Sequence, residues 1–143
     1  MRSDPEGVLE GALGAYAIGD AQAAAAYFAS DVIFAIYIEK DVLPFGGQVF
    51  GRSTMLESWQ KISSAFALLR FETRSLIATE ETARCQVDFS FCHKASGRIF
   101  EGVMRIVAEV KEGKISHYRE YHDQDRIRAF MRLVEGKANE DTA

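Results

Sequence analysis

Apolar positions change their spacing several times along this chain, and each change predicts an element. Val8, Leu9, Ala12, Leu13 and Tyr16 recur at helical intervals behind Asp4 and Pro5, a capping side chain followed by proline at the first helical position. Gly19 stops that helix, and Asp20 caps a second, alanine-rich one reaching about Phe28. Val32 to Ile38 is apolar and β-branched on both faces, as in a strand covered twice. Leu43 to Gly51 holds one of the two prolines and three glycines, which predicts a loop, placed to act as a lid. A third helix begins at about Ser53 or Thr54, with Thr54 and Glu57 as a capping box. Its apolar stripe is Met55, Trp59, Ile62 and Phe66.

The second half alternates with period two. Arg70 to Ala78 reads as a strand, Thr79 to Thr82 as a turn, and Val87 to His93 as a cleanly alternating strand. Arg98 to Asp123 reads as two long strands joined at Lys111-Glu112-Gly113. A two-residue loop there needs Glu112 at positive φ, whereas a three-residue loop needs it only at Gly113; Ala95-Ser96-Gly97 offers the same choice upstream. Three-residue loops pair 110 with 114 and 94 with 98. Three cross-strand rows follow: Gln86, Ile106, Tyr118; Asp88, Met104, Glu120; and Ser90, Gly102, His122. The reverse face then carries Phe89, Val103, Tyr121 and Val87, Arg105, Arg119, with the two arginines opposed and in need of acids from elsewhere. Asp123 caps a last helix whose stripe is Ile127, Phe130, Met131 and Val134, and a polar tail over 136–143 is expected to fray. This order defines a single α+β domain over 1–143, with helices packed on one face of a curved antiparallel sheet.

Composition narrows the functions. The 143 residues carry 17 Lys+Arg against 21 Asp+Glu, a net charge of -4 without a basic stripe, which argues against nucleic acid. The N-terminal stretch lacks the apolar run of a signal peptide and no segment is apolar enough to span a bilayer, so no membrane partner and a cytoplasmic location are expected. Cys85 and Cys92 lie seven apart on one strand, roughly 23 Å by strand rise and on opposite faces, and are read as free thiols. His117 and His122 also take opposite faces. With no CxxC, HExxH or phosphate loop, neither a metal nor another cofactor is expected.

Candidate chemistry lies in the middle row. Asp88 and Glu120 flank Met104 at about 10 Å, two strand spacings. On a covered face, desolvation and mutual repulsion would leave one protonated as an acid and the other ionised as a base. Tyr118 and His122 are placed to donate or relay protons, and Gly102 to leave room for a ligand atom. Tyr16, Phe34, Ile36, Trp59, Ile62, Gln86, Ser90, Met104 and Ile106 complete the expected pocket, with the third helix as its ceiling. Such a site suits isomerisation, cyclisation or dehydration of an apolar carbonyl compound. The same alternation of Gln86, Asp88 and Ser90 with Val87, Phe89 and Phe91 also fits a half-solvated strand whose polar side is merely wet.

The element order, with YFASDV entering the first strand, FGGQVFGRSTM before the third helix and GKISHYREYHD near the end, resembles the nuclear transport factor 2-like superfamily, its SnoaL-like branch most of all. The resemblance implies a cone-shaped, cystatin-like α+β barrel with helices over the concave face, a deep apolar pocket and a homodimer through the outer sheet face. Ketosteroid isomerases, polyketide cyclases, limonene epoxide hydrolases and non-catalytic modules belong to the superfamily; an isomerase or cyclase is the expectation, with a non-catalytic ligand-binding or dimerisation module and an epoxide-hydrolase-like enzyme as the alternatives. Tyr118-Arg119-Glu120-Tyr121 is similar to the Trp-Arg-Asp-Tyr segment of the epoxide hydrolases, and Gln86-Val87-Asp88 to their Arg-Val-Asp, which again implies Glu120 and Asp88 as catalytic acids. Gln86 stands where those enzymes have arginine, and Phe34 and Ile36 where they have the water-holding Tyr and Asn. The ketosteroid isomerase base falls at about Ile36 and its oxyanion tyrosine at about Ala12, with Tyr16 one turn on.

Overall fold

The computed structural model describes residues 4–142, and side chains for 4–135. The chain begins with α1 (Pro5–Ala17), where the Asp4 carboxylate accepts from the Gly7 amide at 3.0 Å as the Asp-Pro pair predicts. Helix α2 (Ala21–Ala25) is capped by Asp20 and is shorter than its alanine content suggests, because the chain turns at Ala26 into β1 (Phe28–Tyr37). The expected loop before the third helix is half strand: β2 (Gly47–Phe50) pairs antiparallel with β1. Helix α3 (Arg52–Ala65) starts earlier than expected, behind Gly51 at φ 90°, so Thr54 falls inside the first turn and no side chain caps the helix. The capping box therefore does not form. Strands β3 (Phe66–Thr79), β4 (Thr82–His93), β5 (Ile99–Lys111) and β6 (Lys114–His122) follow, then α4 (Gln124–Thr142), whose first turn Asp123 caps at 3.2 Å. The expected tail over 136–143 lies outside the residues whose side chains are described.

The strands form one curved, unclosed sheet in the order β2-β1-β6-β5-β4-β3, with β1 and β6 parallel and every other pair antiparallel. Its inner face, α1 and α3 share the core: Leu9, Val32, Phe34, Met55, Val87, Ile106 and Ile115 are buried to 2 % exposure or less. No helix among the described residues is long and apolar enough to cross a membrane.

Two registers depart from the expected ones, and they matter differently. Between β5 and β6 the turn has two residues, Glu112 at φ 52° and Gly113 at φ 77°. The right-handed strand twist favours this geometry strongly enough to hold a glutamate in the left-handed region, at a cost of roughly 1–2 kcal/mol. One extra residue, Ser116, then interrupts the ladder beside Glu109, and its hydroxyl donates to the Glu109 carbonyl at 3.2 Å. The short turn and the bulge together move the register by two, so Ile106 pairs with Glu120 and Met104 with His122. Tyr118, Glu120 and His122 consequently stay on the inner face, as expected.

Between β4 and β5 no such compensation occurs. The loop has four residues, with His93 donating to the Arg98 carbonyl at 2.8 Å and Gly97 at φ 73°. Residue 93 therefore faces 98, one step from the expected pairing, and a one-residue slip turns every side chain of β4 over. Asp88 pairs with Val103, not Met104. Val87, Phe89 and Cys85 face inward instead. Arg105 and Arg119 are not opposed either: Arg105 pairs with Tyr121, and Arg119 meets Glu109 at 3.1 Å.

Candidate active site

The inner face of β6 supplies the polar centre of the molecule. Tyr118, Glu120 and His122 alternate on one side of the strand, so their side chains project in line over the concave surface. The Tyr118 hydroxyl donates to Glu120 Oε1 at 2.7 Å, and His122 Nε2 lies 3.1 Å from Glu120 Oε2. Both carboxylate oxygens are thereby engaged in a site where the Glu120 and His122 side chains are only 14 % and 9 % exposed. Burial first, and the negative charge of Glu120 with the bond to it second, hold the Tyr118 phenol well above its ordinary range. Tyr118 is accordingly a permanent donor. It is positioned from behind by Phe34, its partner across β1 and β6, whose ring stacks on it at 4.9 Å and 3°.

Around this line the wall is apolar. Among the described residues, Glu120 is the only carboxylate lining a cavity of about 90 Å³ walled by Phe28, Ile36, Trp59, Phe71, Phe89, Met104 and further aromatic and aliphatic side chains. Ile127, Phe130 and Met131 bring α4 to its rim. Tyr16 reaches the wall from α1, its ring edge-on to Trp59 at 5.2 Å. Burial, with Glu120 nearby, raises the Tyr16 phenol well above its usual range, and its hydroxyl makes no hydrogen bond among the described residues. Cys85 shares the row of Ile106 and Glu120, and burial followed by the Glu120 charge pushes its thiol up to about 12.

The structure brings together Tyr118, Glu120, His122, Tyr16, Ile36, Trp59, Ile62 and Met104 of the expected site. Three other residues are elsewhere and a fourth is covered, all for one reason, the slip between β4 and β5. Asp88 lies on the outer face, bound by Arg74 at 2.6 Å and by the Gln86 amide at 3.1 Å. Gln86 and Ser90 lie on that face with it, in rows with Arg105 and Glu101. Gly102 faces inward, but the room it leaves is taken by the Phe89 ring, which a Cβ would meet at 2.9 Å. Phe34 and Ile106 are packed beneath the polar line and do not line the cavity. The pair of carboxylates on which the epoxide hydrolase reading depends is not assembled.

Phe71, Phe89, Phe91, Phe100 and Cys85 were missed as site residues. The signal for four of them was present in the alternation of β4 and β5, whose apolar positions belong inside if only one face is wet. A line of carboxylate, phenol and imidazole thus stands against an apolar wall.

The SnoaL-like domain profile matches residues 9–118, and the chain belongs to that family. No curated protein matches the sequence significantly. Among solved structures, a candidate isomerase from Rhodopseudomonas palustris superposes with a TM-score of 0.73 at 19 % identity, over 85 % of this chain and 92 % of that one. A protein with a cystatin-like fold from Xanthomonas campestris gives 0.75 at 19 % identity, over 90 % and 98 %. A candidate polyketide cyclase from Pseudomonas putida gives 0.71 at 16 % identity, over 86 % and 94 %. At these identities the likeness establishes the shared cone.

Proposed function

We propose that this protein is an isomerase- or cyclase-type enzyme in which Glu120 moves a proton on an apolar, carbonyl-bearing small molecule. The observation that carries the reading is the Tyr118–Glu120–His122 line: one carboxylate in an apolar cavity, held by a partner on each oxygen. Glu120 takes the proton from the carbon beside the substrate carbonyl, and water exclusion by the aromatic wall strengthens every interaction at that point. Tyr118, which keeps its own proton, fixes one carboxylate oxygen and the direction of attack. His122 at the other oxygen receives or returns the proton. Tyr16 offers a free phenol to the carbonyl oxygen where charge develops. The single domain needs no cofactor for this chemistry.

Proton exchange tests the reading without knowledge of the product. Wild-type protein in D2O should accelerate exchange of the α-hydrogens of 2-tetralone, followed by NMR, and Glu120→Gln should lose about 100-fold or more of that acceleration. Equal rates for the two proteins would sink it.

The outer face supports a homodimer. Tyr37 and Tyr121 stack there at 4.7 Å while 42 % and 43 % exposed, beside Val103 at 45 %. Light scattering of wild type and Tyr121→Lys should show a dimer becoming a monomer; an unchanged mass removes this face as the interface.

A further inference from the structure

The cavity that holds Glu120 is too small for the substrate class just proposed. An apolar cavity of about 150 Å³ takes a single benzene ring, and this one offers about 90 Å³. A cyclic ketone therefore enters only if part of the wall moves. One part of that wall is thin. Tyr16, Trp59, Ile62, Phe66 and Phe91 line the inner cavity on one side and a groove of about 460 Å³ on the other.

Those five residues form a septum held by edge-to-face ring contacts, Tyr16 on Trp59 at 5.2 Å and Phe66 on Phe91 at 6.0 Å. Ring pairs of this kind contribute only about 0.5–1.5 kcal/mol beyond their burial, so their rearrangement is affordable to a bound ligand. Beyond the septum the groove changes character. Its apolar floor is lined at the edge by Gln22, Ser53, Gln60 and Ser63, amides and hydroxyls, with Glu57 as the one charged residue of the lining among the described residues.

We propose that this groove, between the turn joining α1 to α2 and the exposed face of α3, is a second subsite, and that the septum opens to join it to the inner cavity. This rests on the acid/base reading of the site and extends it to the shape of the substrate. The ligand is bipartite: a carbonyl-bearing apolar ring at Glu120 and a neutral, hydrogen-bonding tail of amide or hydroxyl character in the groove. A carboxylate or phosphate tail is disfavoured by Glu57, since like charges at close range oppose binding.

Three ketones test it: 2-acetylnaphthalene, the same ketone with an N-hydroxyethyl carboxamide at C6, and the same with an N-carboxymethyl carboxamide there. Trp59 is the only tryptophan of the chain and stands in the septum, so its fluorescence reads the binding of each. The neutral tail should tighten binding about tenfold over the parent ketone, the equivalent of one or two net hydrogen bonds. The anionic tail should give no such gain. Gln60→Phe, which fills the groove, should bring the neutral-tailed ketone down to the parent's affinity, and Glu57→Lys should transfer the gain to the anionic one.

Equal affinities for all three ketones in the wild type, unmoved by either substitution, would overturn the second subsite while leaving the acid/base site standing. Binding of none of them would overturn the subsite as well. The exchange of 2-tetralone hydrogens, which needs room for the ring and Glu120 but no contact with the polar rim of the groove, then separates the two failures.

Discussion

Tyr118 and Glu120, two residues apart on one strand, are joined by an O–H···O bond of 2.7 Å in which the tyrosine is the donor. Replacing Tyr118 by Phe keeps the ring on Phe34 and strips the proton from Oε1, leaving a carboxylate oxygen facing an apolar wall. We expect a loss of about 1–3 kcal/mol, read as a lower urea midpoint at neutral pH. Proton-transfer activity should fall in the same variant. A Phe variant as stable as wild type would show that the bond contributes nothing to the fold.

Stability should decline on the alkaline side. Unfolded thiols and phenols release their protons near about pH 8.5 and 10. Cys85, pushed up to about 12, and Tyr16 and Tyr118, held higher than an ordinary phenol, keep theirs longer in the folded state. From about pH 8.5 upward the folded protein therefore binds more protons than the unfolded chain, and stability falls as pH rises through that window. Below it these three groups contribute no pH dependence. Urea midpoints at about pH 8 and pH 10.5 check the sign, and Cys85→Ala should soften the early part of the decline.

Glu112 sits at φ 52° in a two-residue turn, followed by Gly113 at φ 77°. Glu112→Asn creates the Asn-Gly pair that such turns prefer and should stabilise the protein by roughly 0.5–1 kcal/mol without altering ligand binding. In a three-residue turn Glu112 would not need the left-handed region and asparagine would bring no gain. Thermal unfolding distinguishes the two.

Gly102 is opposite Phe89, and a Cβ there would come within 2.9 Å of that ring and 3.2 Å of Phe100. Gly102→Ala should cost about 1–3 kcal/mol by overpacking and should push both rings into the cavity they line. Weaker binding of a ketone together with a lower Tm is the expected pair of results; an unchanged cavity affinity would mean that the rings yield elsewhere.

Most of the fold was legible from local chemistry: the Asp4-Pro5 and Asp20 caps, Met55, Trp59 and Ile62 on α3, though Phe66 opens β3 and does not close the helix, and the alternation of β6 that faces Tyr118, Glu120 and His122 together. Two signals disagree on β4. Counting loop residues back from Gly97 turned Asp88 inward, whereas the apolar positions Val87, Phe89 and Phe91 pointed to the opposite assignment. Hydrophobic burial of three large side chains outweighs the preference for one loop length by several kcal/mol, so the pattern should have decided. The bulge at Ser116 was not legible at all. It depends on a long-range fit of β6 against both β1 and β5, and a serine in a strand does not announce it.

The side of the sheet on which Glu120 lands is a question of odd and even. A two-residue turn alone would send Arg119 inward, and the single looped-out residue Ser116 reverses the sign a second time, restoring the carboxylate. Losing Ser116 would straighten the strand and still leave Glu120 inside, since residue and irregularity vanish together. One added residue that stays within the ladder would instead exchange an acid for a base at the centre of the cone. The length of this hairpin is thus free to change only where the extra residue can step out of line, and the chemistry of the cavity is guarded by a count as much as by its side chains.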